Sequence, residues 1–315
     1  MAATSSIDVS VAIPTYGRER ALVDTVTLVL AQQPAPMEIL VLDQTARHEP
    51  ATEECLTRWN EERRIRWFRL GEPAIPRAMN RALLEARGSV VLYLDDDVVP
   101  GEGLVGAHEA GYGAEPDAWA VAGQVVQPWQ KVGSAKAACT AEGLRQDLEF
   151  PFNSTARCWV RSSVGCNLSV RRSRALEIGG FDENFRGAAF RFETEFCRRV
   201  WQRGGKVFFA PDASVRHLRL PAGGTRAHGS HLRSASPSHG VGDYYFAMRC
   251  GRGWEKAAYV FRRPIREIAT RFHLTHPWWI PVKLLGEMRA MAMAWHLNRQ
   301  GPKLIGQDRW SAECA

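Results

Sequence analysis

The chain has 315 residues, 45% of them hydrophobic, and a formal net charge of +7. This length and composition suffice for a hydrophobic core in one or two domains, and they exclude a disordered or low-complexity protein. No run of about 18 uncharged apolar residues is present, so we expect no membrane-spanning helix. The first ten residues lack the basic and apolar regions of a secretory signal. The seven cysteines are scattered and form no CxxC pair, which indicates a reduced, cytoplasmic protein without structural zinc.

Strand and helix patterns alternate along the first hundred residues. The strands are predicted at Val9–Pro14, Glu38–Leu42, Ile65–Leu70 and Val90–Leu94, and the helices at Arg18–Gln33, Ala51–Arg63 and Pro76–Arg87. Such alternation predicts βαβ units and an α/β fold whose central sheet is mostly parallel and flanked by helices.

Less regular patterns follow in the rest of the chain. We predict strands at Trp119–Val126 and Lys206–Ala210, a strand or turn at Gly165–Arg172, a short helix capped by Ser173, and a helix at Glu193–Arg203. Residues 221–242 are rich in Gly, Ser, Pro and His, which is typical of a mobile loop. Two or three helices are predicted after it, at Gly242–Cys250, Trp254–Arg271 (bent or divided by Pro264) and Pro277–Arg299.

Polar groups follow three of the predicted strands directly. They are Thr15-Tyr16-Gly17, Asp43 and the cluster Asp95–Asp97. Ligands of open parallel sheets bind beyond the carboxyl ends of the strands, so one shared pocket is expected. Three adjacent carboxylates repel one another, and a hard cation such as Mn²⁺ or Mg²⁺, shared with substrate phosphates, would remove the conflict. A solvated acidic turn is the alternative.

Four ordered segments resemble the family 2 glycosyltransferases of GT-A fold. They are VAIPTYGRERALVDTVTLVLAQQPAPMEILVLDQT, PAIPRAMNRALLEARGSVVLYLDDDVVP, GCNLSVRRSRALEIGGFDENF and ETEFCRRVWQRGGKVFFAPDASVRH. The resemblance covers about residues 8–217. It implies an inverting transfer of a sugar from a nucleotide-diphosphate-sugar donor to an acceptor hydroxyl of a glycan, lipid-linked or small molecule. It also implies a divalent cation held by the DXD motif, and a role in polysaccharide or glycoconjugate synthesis.

The resemblance assigns the donor site residue by residue. It places Pro14, Thr15, Tyr16, Arg18, Asp43, Arg77, Asn80, Asp95 and Asp96 at the nucleotide sugar, and Asp97, Asp95 and His217 at the metal. A lone histidine such as His217 is equally well explained by a structural role. The following loop, with Arg226, His228, His231 and His239, could close over the donor diphosphate as a lid.

The general base is less clearly marked, because the family's Glu-Asp pair is missing. The corresponding window places Phe192 and Glu193 at that position, so Glu193 is the candidate base and Glu195 the second candidate. Glu193 could instead merely favour a helix N-terminus. Asp182, in the GGFDE segment, is predicted near the acceptor or donor sugar, with a structural turn as the alternative.

The basic charge is concentrated in the C-terminal third. From Arg216 onward there are 16 basic and 6 acidic residues, a net charge of +10, whereas the first 215 residues carry −3. The segment from Pro277 to Leu297 combines apolar and basic residues, which could lie on the inner face of the membrane. Packing on the domain or against a second subunit in a homodimer is the alternative. We expect no nucleic-acid partner.

We predict three regions: a catalytic domain (1–220), a flexible loop (221–242) and a basic helical extension packing on the catalytic domain (243–315). Two other functions remain open at this point. A nucleotidyltransferase would use a similar metal site, but TYGRER lacks the Gly- and Lys-rich phosphate motif such an enzyme needs. A non-catalytic family member that binds nucleotide sugar or glycan would explain the missing Glu-Asp pair.

Overall fold

The computed structural model describes residues 7–134, 143–145 and 150–306, so parts of the predicted catalytic domain and the last nine residues of the extension lie outside the described residues. The strands are β1 (Val9–Thr15), β2 (Glu38–Asp43), β3 (Arg66–Arg69), β4 (Val90–Leu94), β5 (Val98–Pro100), β6 (Ala118–Val126), β7 (Cys158–Val160), β8 (Asn167–Arg171) and β9 (Lys206–His217). The helices are α1 (Arg20–Leu30), α2 (Pro50–Glu61), α3 (Ile75–Glu85), α4 (Leu104–Ala114), α5 (Arg172–Glu177), α6 (Phe192–Gln202), α7 (Val241–Cys250), α8 (Gly253–Ile268), α9 (Arg271–Thr275) and α10 (Ile280–Gln300).

The described strands form one sheet in the order β3-β2-β1-β4-β8-β6-β9-β5, with β7 also paired to β9. The half built by β3, β2, β1 and β4 is parallel, as the alternating sequence pattern predicts. Beyond β4 the sheet becomes mixed, because β8 runs antiparallel to both of its neighbours. The predicted parallel arrangement therefore holds throughout the N-terminal half, and β6 and β9 also pair in parallel.

The central strands are apolar at nearly every position because both faces of the sheet are covered. In β4, Val91 and Tyr93 belong to one hydrophobic cluster, whereas Val90, Leu92 and Leu94 belong to the other. Successive side chains of a strand point to opposite faces, so each face receives every second residue. This burial holds the end of β4, and the aspartates that follow it, in a fixed position.

Several elements differ from the sequence prediction. β5, α4 and β7 were not predicted; β5 and β7 have three residues each, too short for a recognisable period, and α4 contains three glycines. β9 is longer than expected and ends at His217, with a register shift where it pairs with β6. Ser173 lies inside α5 rather than capping it, and Pro264 lies within α8, which ends at Ile268. The predicted loop 221–242 contains two short 3₁₀ turns, at Gly224–His228 and Pro237–His239.

The C-terminal helices pack on the rest of the molecule through α7. Asp243 of α7 is fully buried and accepts hydrogen bonds from Arg191 at the start of α6 and from Arg263 of α8. One face of α10, including Ala290 and Ala294, is buried as well. Among the described helices, none combines the length and hydropathy that a membrane crossing requires.

A short C-terminal strap, residues 301–306, closes over the GGFDE segment. The amide of Ile305 donates to the Gly179 carbonyl over 2.8 Å, and the amide of Lys303 donates to Asp182 Oδ1 over 2.9 Å. Asp182 also accepts hydrogen bonds from Tyr245 Oη (2.7 Å) and from the Asn184 amide (3.0 Å). The buried carboxylate of Asp182 therefore joins the strap, α7 and the turn.

We expect Gly180→Ala to lower the free energy of unfolding by about 2 kcal/mol or more. Gly180 has a φ of +65°, and an added Cβ would lie 2.4 Å from Asn80 Oδ1 and 2.7 Å from Ile305 Cδ1. Gly204→Ala is the matched control: its φ is +80°, but an added Cβ meets no atom within 4 Å, so only about 1–2 kcal/mol of backbone strain applies. Urea unfolding of both variants measures the difference, and equal losses would contradict close packing at Gly180.

Candidate active site

The carboxyl ends of β1 and β4 lie side by side. Val9 to Ala12 pair with Val90 to Tyr93, which brings the end of β1 level with the aspartates that follow β4. Thr15 Oγ1 donates to Asp96 Oδ2 over 2.7 Å as a result. A pocket opens at this edge, and its lining includes Pro14, Thr15, Tyr16, Arg18, Asp95, Asp96, Asp97 and His217.

Arg18 is the buried counter-ion of the aspartate cluster. Its side chain is 5% exposed; Nε donates to Asp96 Oδ1 over 3.2 Å, and Nη2 donates to Asp97 Oδ2 over 3.0 Å. Nη1 donates to the carbonyl of Ala222 in the loop after β9. Because the guanidinium bridges two carboxylates and this loop, Arg18 organises the floor of the pocket.

The pKa values of the neighbouring carboxyl groups of Asp96 and Asp97 are shifted in opposite directions. Burial raises the pKa of Asp96 to about 7, and the hydrogen bond from Thr15 and the charge of Arg18 oppose this only in part. Burial also acts to raise the pKa of Asp97, but His217 and Arg18 together bring that pKa below its usual range. Asp97 is therefore a carboxylate at neutral pH.

Asp95, Asp97 and His217 form a group that could hold a cation. One ligand atom from each lies within 4.8 Å of the others; His217 Nε2 is 3.0 Å from Asp97 Oδ1 and 3.7 Å from Asp95 Oδ2. Carboxylate oxygen with one imidazole nitrogen suits Mn²⁺ and also Mg²⁺, which accepts oxygen ligands readily. His217 Nδ1 is 3.1 Å from Gln127 Oε1, which orients the ring. The residues thus fit the predicted metal.

The loop after β9 lies against the pocket. The Gly224 amide donates to the Tyr16 carbonyl over 2.7 Å, and Arg226 Nη1 lies 3.7 Å from Asp97 Oδ2. Gly223 has a φ of +76°, and an added Cβ would lie 2.4 Å from the Gly17 carbonyl oxygen. Thr225, Arg226 and His228 line the pocket, whereas His231 and His239 form a ring cluster with His228.

A second pocket adjoins the first and contains Glu193. The two share Pro14, Ile75, Asp95, His217 and Thr225 in their lining. Glu193 lies in the first turn of α6, and its Oε1 accepts a hydrogen bond from the Gly165 amide over 3.2 Å. The helix dipole also favours a carboxylate at a helix N-terminus. The position of Glu193 is therefore compatible both with a structural role at the start of α6 and with a role as general base.

Arg191, which the sequence reasoning missed, fixes the start of α6. It has a φ of +73°, and its guanidinium lies 3.9 Å from the centre of the Phe246 ring. Nη1 donates to Tyr259 Oη over 2.6 Å and to Asp243 Oδ1 over 3.2 Å. These contacts with α7 and α8 set the position of Glu193, and no local sequence signal marks them.

Glu195 and Asp182, the other predicted catalytic acids, do not reach either pocket in the described part of the chain. Glu195 is buried and held by Arg199, whose Nε and Nη2 donate over 2.7 and 2.9 Å. Asp182 is fully buried among the hydrogen bonds of the C-terminal strap. Asp182 thus joins the turn to the strap, and Glu195 forms an ion pair; a catalytic role of either residue stays a prediction from the sequence.

Asp43, which is predicted at the nucleotide, is not among the residues that line the pocket in the described part of the chain. Asp43 is fully buried, and its carboxylate accepts from Trp67 Nε1 (2.9 Å) and from the Thr45 amide (2.8 Å), while Oδ2 lies 2.8 Å from His48 Nε2. Gln44, the next residue, lines the pocket instead. Successive side chains at the end of a strand point to opposite sides, so Asp43 and Gln44 face in different directions and Gln44 is the one that faces the pocket.

Asn80 and Arg77 of α3, which are likewise predicted at the nucleotide, contact the GGFDE segment (Gly179–Glu183). Asn80 is fully buried; its Nδ2 donates to the Phe181 carbonyl over 2.8 Å, and its Oδ1 accepts from the Phe181 amide over 2.7 Å. Arg77 Nε lies 3.6 Å from Glu183 Oε2. The pocket is lined near the start of α3 by Pro73, Ala74 and Ile75. The structure therefore gives Asn80 and Arg77 bracing roles.

Solved structures of other proteins share this fold. GalNAc-T7 with UDP, GalNAc and Mn²⁺ aligns with a TM-score of 0.56 at 15% identity over 87% of this chain, which spans 58% of that protein. The mannosyltransferase PcManGT from Pyrobaculum calidifontis, in complex with GDP-Man and Mn²⁺, aligns with a TM-score of 0.54 at 20% identity, covering 95% of this chain and 80% of that one. The protein has the GT-A glycosyltransferase fold.

Sequence comparison gives the family. Residues 10–164 match the model of glycosyl transferase family 2. The glucosyl-dolichyl phosphate glucuronosyltransferase of Haloferax volcanii is 26% identical over 237 residues, which are 66% of this chain and 68% of that protein. These comparisons support a family 2 glycosyltransferase.

Proposed function

We propose that the protein transfers a sugar from a nucleoside-diphosphate sugar to an acceptor hydroxyl in one displacement, with inversion and with a divalent cation. The observation that carries the proposal is the adjacency of two pockets. One contains the group Asp95, Asp97 and His217, and the other contains Glu193. A leaving diphosphate and an attacking hydroxyl need such neighbouring sites, with an anion-stabilising group in one and a base in the other.

The donor is proposed to bind along the first pocket. The segment Pro14–Tyr16 and the side chain of Gln44 line its nucleotide end, and Asp96, held by Thr15 and Arg18, lies where a ribose hydroxyl could be bound. Asp95, Asp97 and His217 would hold the cation. When bound, the cation supplies Lewis-acid stabilisation of the charge that develops on the diphosphate. The two solved structures with a similar fold contain UDP and GDP-Man, and this supports a nucleotide-sugar donor.

Glu193 is proposed to accept the proton of the acceptor hydroxyl. The Gly165 amide and the start of α6 hold its carboxylate at the second pocket. In this arrangement the hydroxyl oxygen attacks the anomeric carbon, the bond from that carbon to the diphosphate oxygen breaks, and the proton moves to Glu193. Attack opposite to the leaving group inverts the configuration of the anomeric carbon.

The proposal assigns one role to each of the three regions predicted from the sequence. The catalytic region (1–220) supplies most of the lining of both pockets. The loop (221–242) adds Thr225 to both and covers the metal group through Arg226, and the extension (243–315) braces α6 through Asp243. Arg226 now lies near Asp97, so donor binding would require it to exchange Asp97 for a phosphate oxygen. This gives the predicted lid a defined contact to break.

A panel of nucleotide sugars tests the proposal by thermal unfolding. UDP-, GDP- and dTDP-sugars are compared with Mn²⁺, with Mg²⁺ and with a chelator. One nucleotide should stabilise the protein in a metal-dependent way, by about 2.7 kcal/mol at 100 times its dissociation constant. The donor that binds is then followed for release of nucleoside diphosphate. Absence of any metal-dependent stabilisation would reject the proposed donor site, and binding without turnover would favour the non-catalytic alternative.

A further inference from the structure

Helix α8 exposes large apolar side chains that the described part of the chain leaves uncovered. Trp254, Phe261 and Ile265 are 81%, 72% and 65% exposed. With about 3.6 residues per turn, these positions fall within about 40° of one another around the helix axis. They form one stripe, which we call the α8 stripe. Scattered exposed apolar residues are common, but three large ones aligned along about three turns mark an interaction surface.

The opposite face of α8 is the one that packs on the protein. Val260 and Arg263 are buried, and Arg263 is ion-paired with Asp243 and with Glu287 of α10. A helix in a globular protein normally turns its apolar face inward. In α8 the ion pairs of Arg263 lie on the inner face and the bulky apolar side chains face outward, so the α8 stripe does not pack into the hydrophobic core.

The charge around the stripe is almost entirely positive. Between residues 249 and 300, all described, Glu255 is the one exposed acid, whereas seven arginines are exposed: Arg249, Arg252, Arg262, Arg266, Arg271, Arg289 and Arg299. The remaining acids of this segment, Glu267 and Glu287, form ion pairs with Lys283. Neutralisation therefore occurs mainly in the interior, where Arg266 also reaches Asp243 over 3.0 Å, and the outer surface keeps most of its cations.

Two of these arginines flank the stripe directly. Arg262 and Arg266 follow Phe261 and Ile265 by one residue each, and both line a cavity together with Arg145. Arginine forms bidentate hydrogen bonds with phosphate groups. A surface that pairs inserted aromatic groups with phosphate-binding cations has the composition of an interfacial membrane helix.

We infer that the α8 stripe binds the surface of an anionic lipid membrane, with Trp254, Phe261 and Ile265 inserted among the acyl chains and Arg262 on the headgroup phosphates. A second copy of the chain fits less well. A two-fold contact would place the stripe against its own copy and bring the surrounding arginines together without anions between them. The membrane contact predicted from the sequence, at Pro277–Leu297, lies after α8 in the chain and stays a separate prediction.

Vesicle co-sedimentation of the full chain tests this inference. The protein should bind vesicles of phosphatidylcholine with about 30% phosphatidylglycerol, fail to bind pure phosphatidylcholine, and be released at about 1 M salt. The Phe261→Ser/Ile265→Ser variant should bind at least about tenfold more weakly, because it removes apolar area from the stripe. Arg252→Gln/Arg262→Gln should weaken binding to the anionic vesicles by about tenfold as well.

A matched control changes exposed apolar residues elsewhere. Leu28→Ser/Met37→Ser, 38% and 53% exposed, should leave vesicle binding unchanged. Thermal unfolding of each variant shows that the fold is retained. Equal binding to neutral and anionic vesicles, or no vesicle binding at all, would overturn the inference. A dimer in light scattering that Phe261→Ser/Ile265→Ser dissociates, without vesicle binding, would assign the stripe to a second copy instead.

Discussion

Replacing Glu193 by Gln should reduce sugar transfer by about 10²- to 10⁴-fold and leave donor binding unchanged. The amide keeps the size of the side chain and can still accept from the Gly165 amide, but it cannot take the proton of the acceptor hydroxyl. Turnover is measured as nucleoside diphosphate released with acceptor present, and donor binding as thermal stabilisation. Near-normal turnover in this variant would remove Glu193 from the mechanism.

Two further variants separate chemistry from folding. Glu193→Asp keeps the carboxylate but withdraws it by one methylene, so it should recover part of the activity that the Gln variant loses. Glu195→Gln should leave proton transfer intact and lower the free energy of unfolding by about 2–4 kcal/mol, because the buried Arg199 loses its charged partner. A Glu195 variant of normal stability and no activity would reverse the assignment of the two glutamates.

Replacing Asp97 by Asn should abolish the metal-dependent part of donor stabilisation and reduce transfer by about 10³-fold. Asp97 accepts from Arg18 and from the Leu220 amide, lies 3.0 Å from His217, and is the least exposed acid of the metal group. Its loss removes a ligand and also leaves Arg18 with Asp96 as its remaining acidic partner in the cluster. Titration with Mn²⁺ in the presence of donor measures the change.

The control for this prediction is Asp117→Asn, which removes an acid whose side chain is 80% exposed and which is paired with Lys206 outside the pocket. It should leave both the Mn²⁺ response and turnover unchanged. If the Asp97 variant retains the Mn²⁺ response of the wild-type protein, the cation is not held by Asp95, Asp97 and His217. Comparing unfolding without metal shows how much of any loss is due to the fold.

Much of the N-terminal half could be predicted because its signals are local. β1, β2 and β4 are short apolar runs between polar turns, and the helices between them have a regular apolar period. The parallel arrangement follows from the alternation of strand and helix. The same locality places Thr15 and Asp96 at adjacent strand ends, which the structure joins by a hydrogen bond.

The functional assignments beyond the strand ends required the packing. Asp43, Asn80 and Asp182 are polar residues in matching motifs, yet each is fully buried. Asn80 and Asp182 are held by hydrogen bonds that reach across the fold, to Phe181 and Tyr245, whereas Asp43 is held by Trp67 and by the nearby Thr45 and His48. A motif records residue type and order, but whether a carboxylate faces a ligand or a backbone amide depends on partners far along the chain. No local pattern indicates these partners.

The amino-acid order alone therefore specifies the α/β architecture, the resemblance to family 2 glycosyltransferases and the aspartates at the end of β4, since each depends on local period or on residues near one another in sequence. Tertiary structure decides which acid meets the second pocket, because Glu193 and Glu195 differ only in the direction that α6 gives them. It also decides that the outer face of α8 is apolar, because burying Arg263 in ion pairs with Asp243 and Glu287 turns Phe261 and Ile265 to the outside.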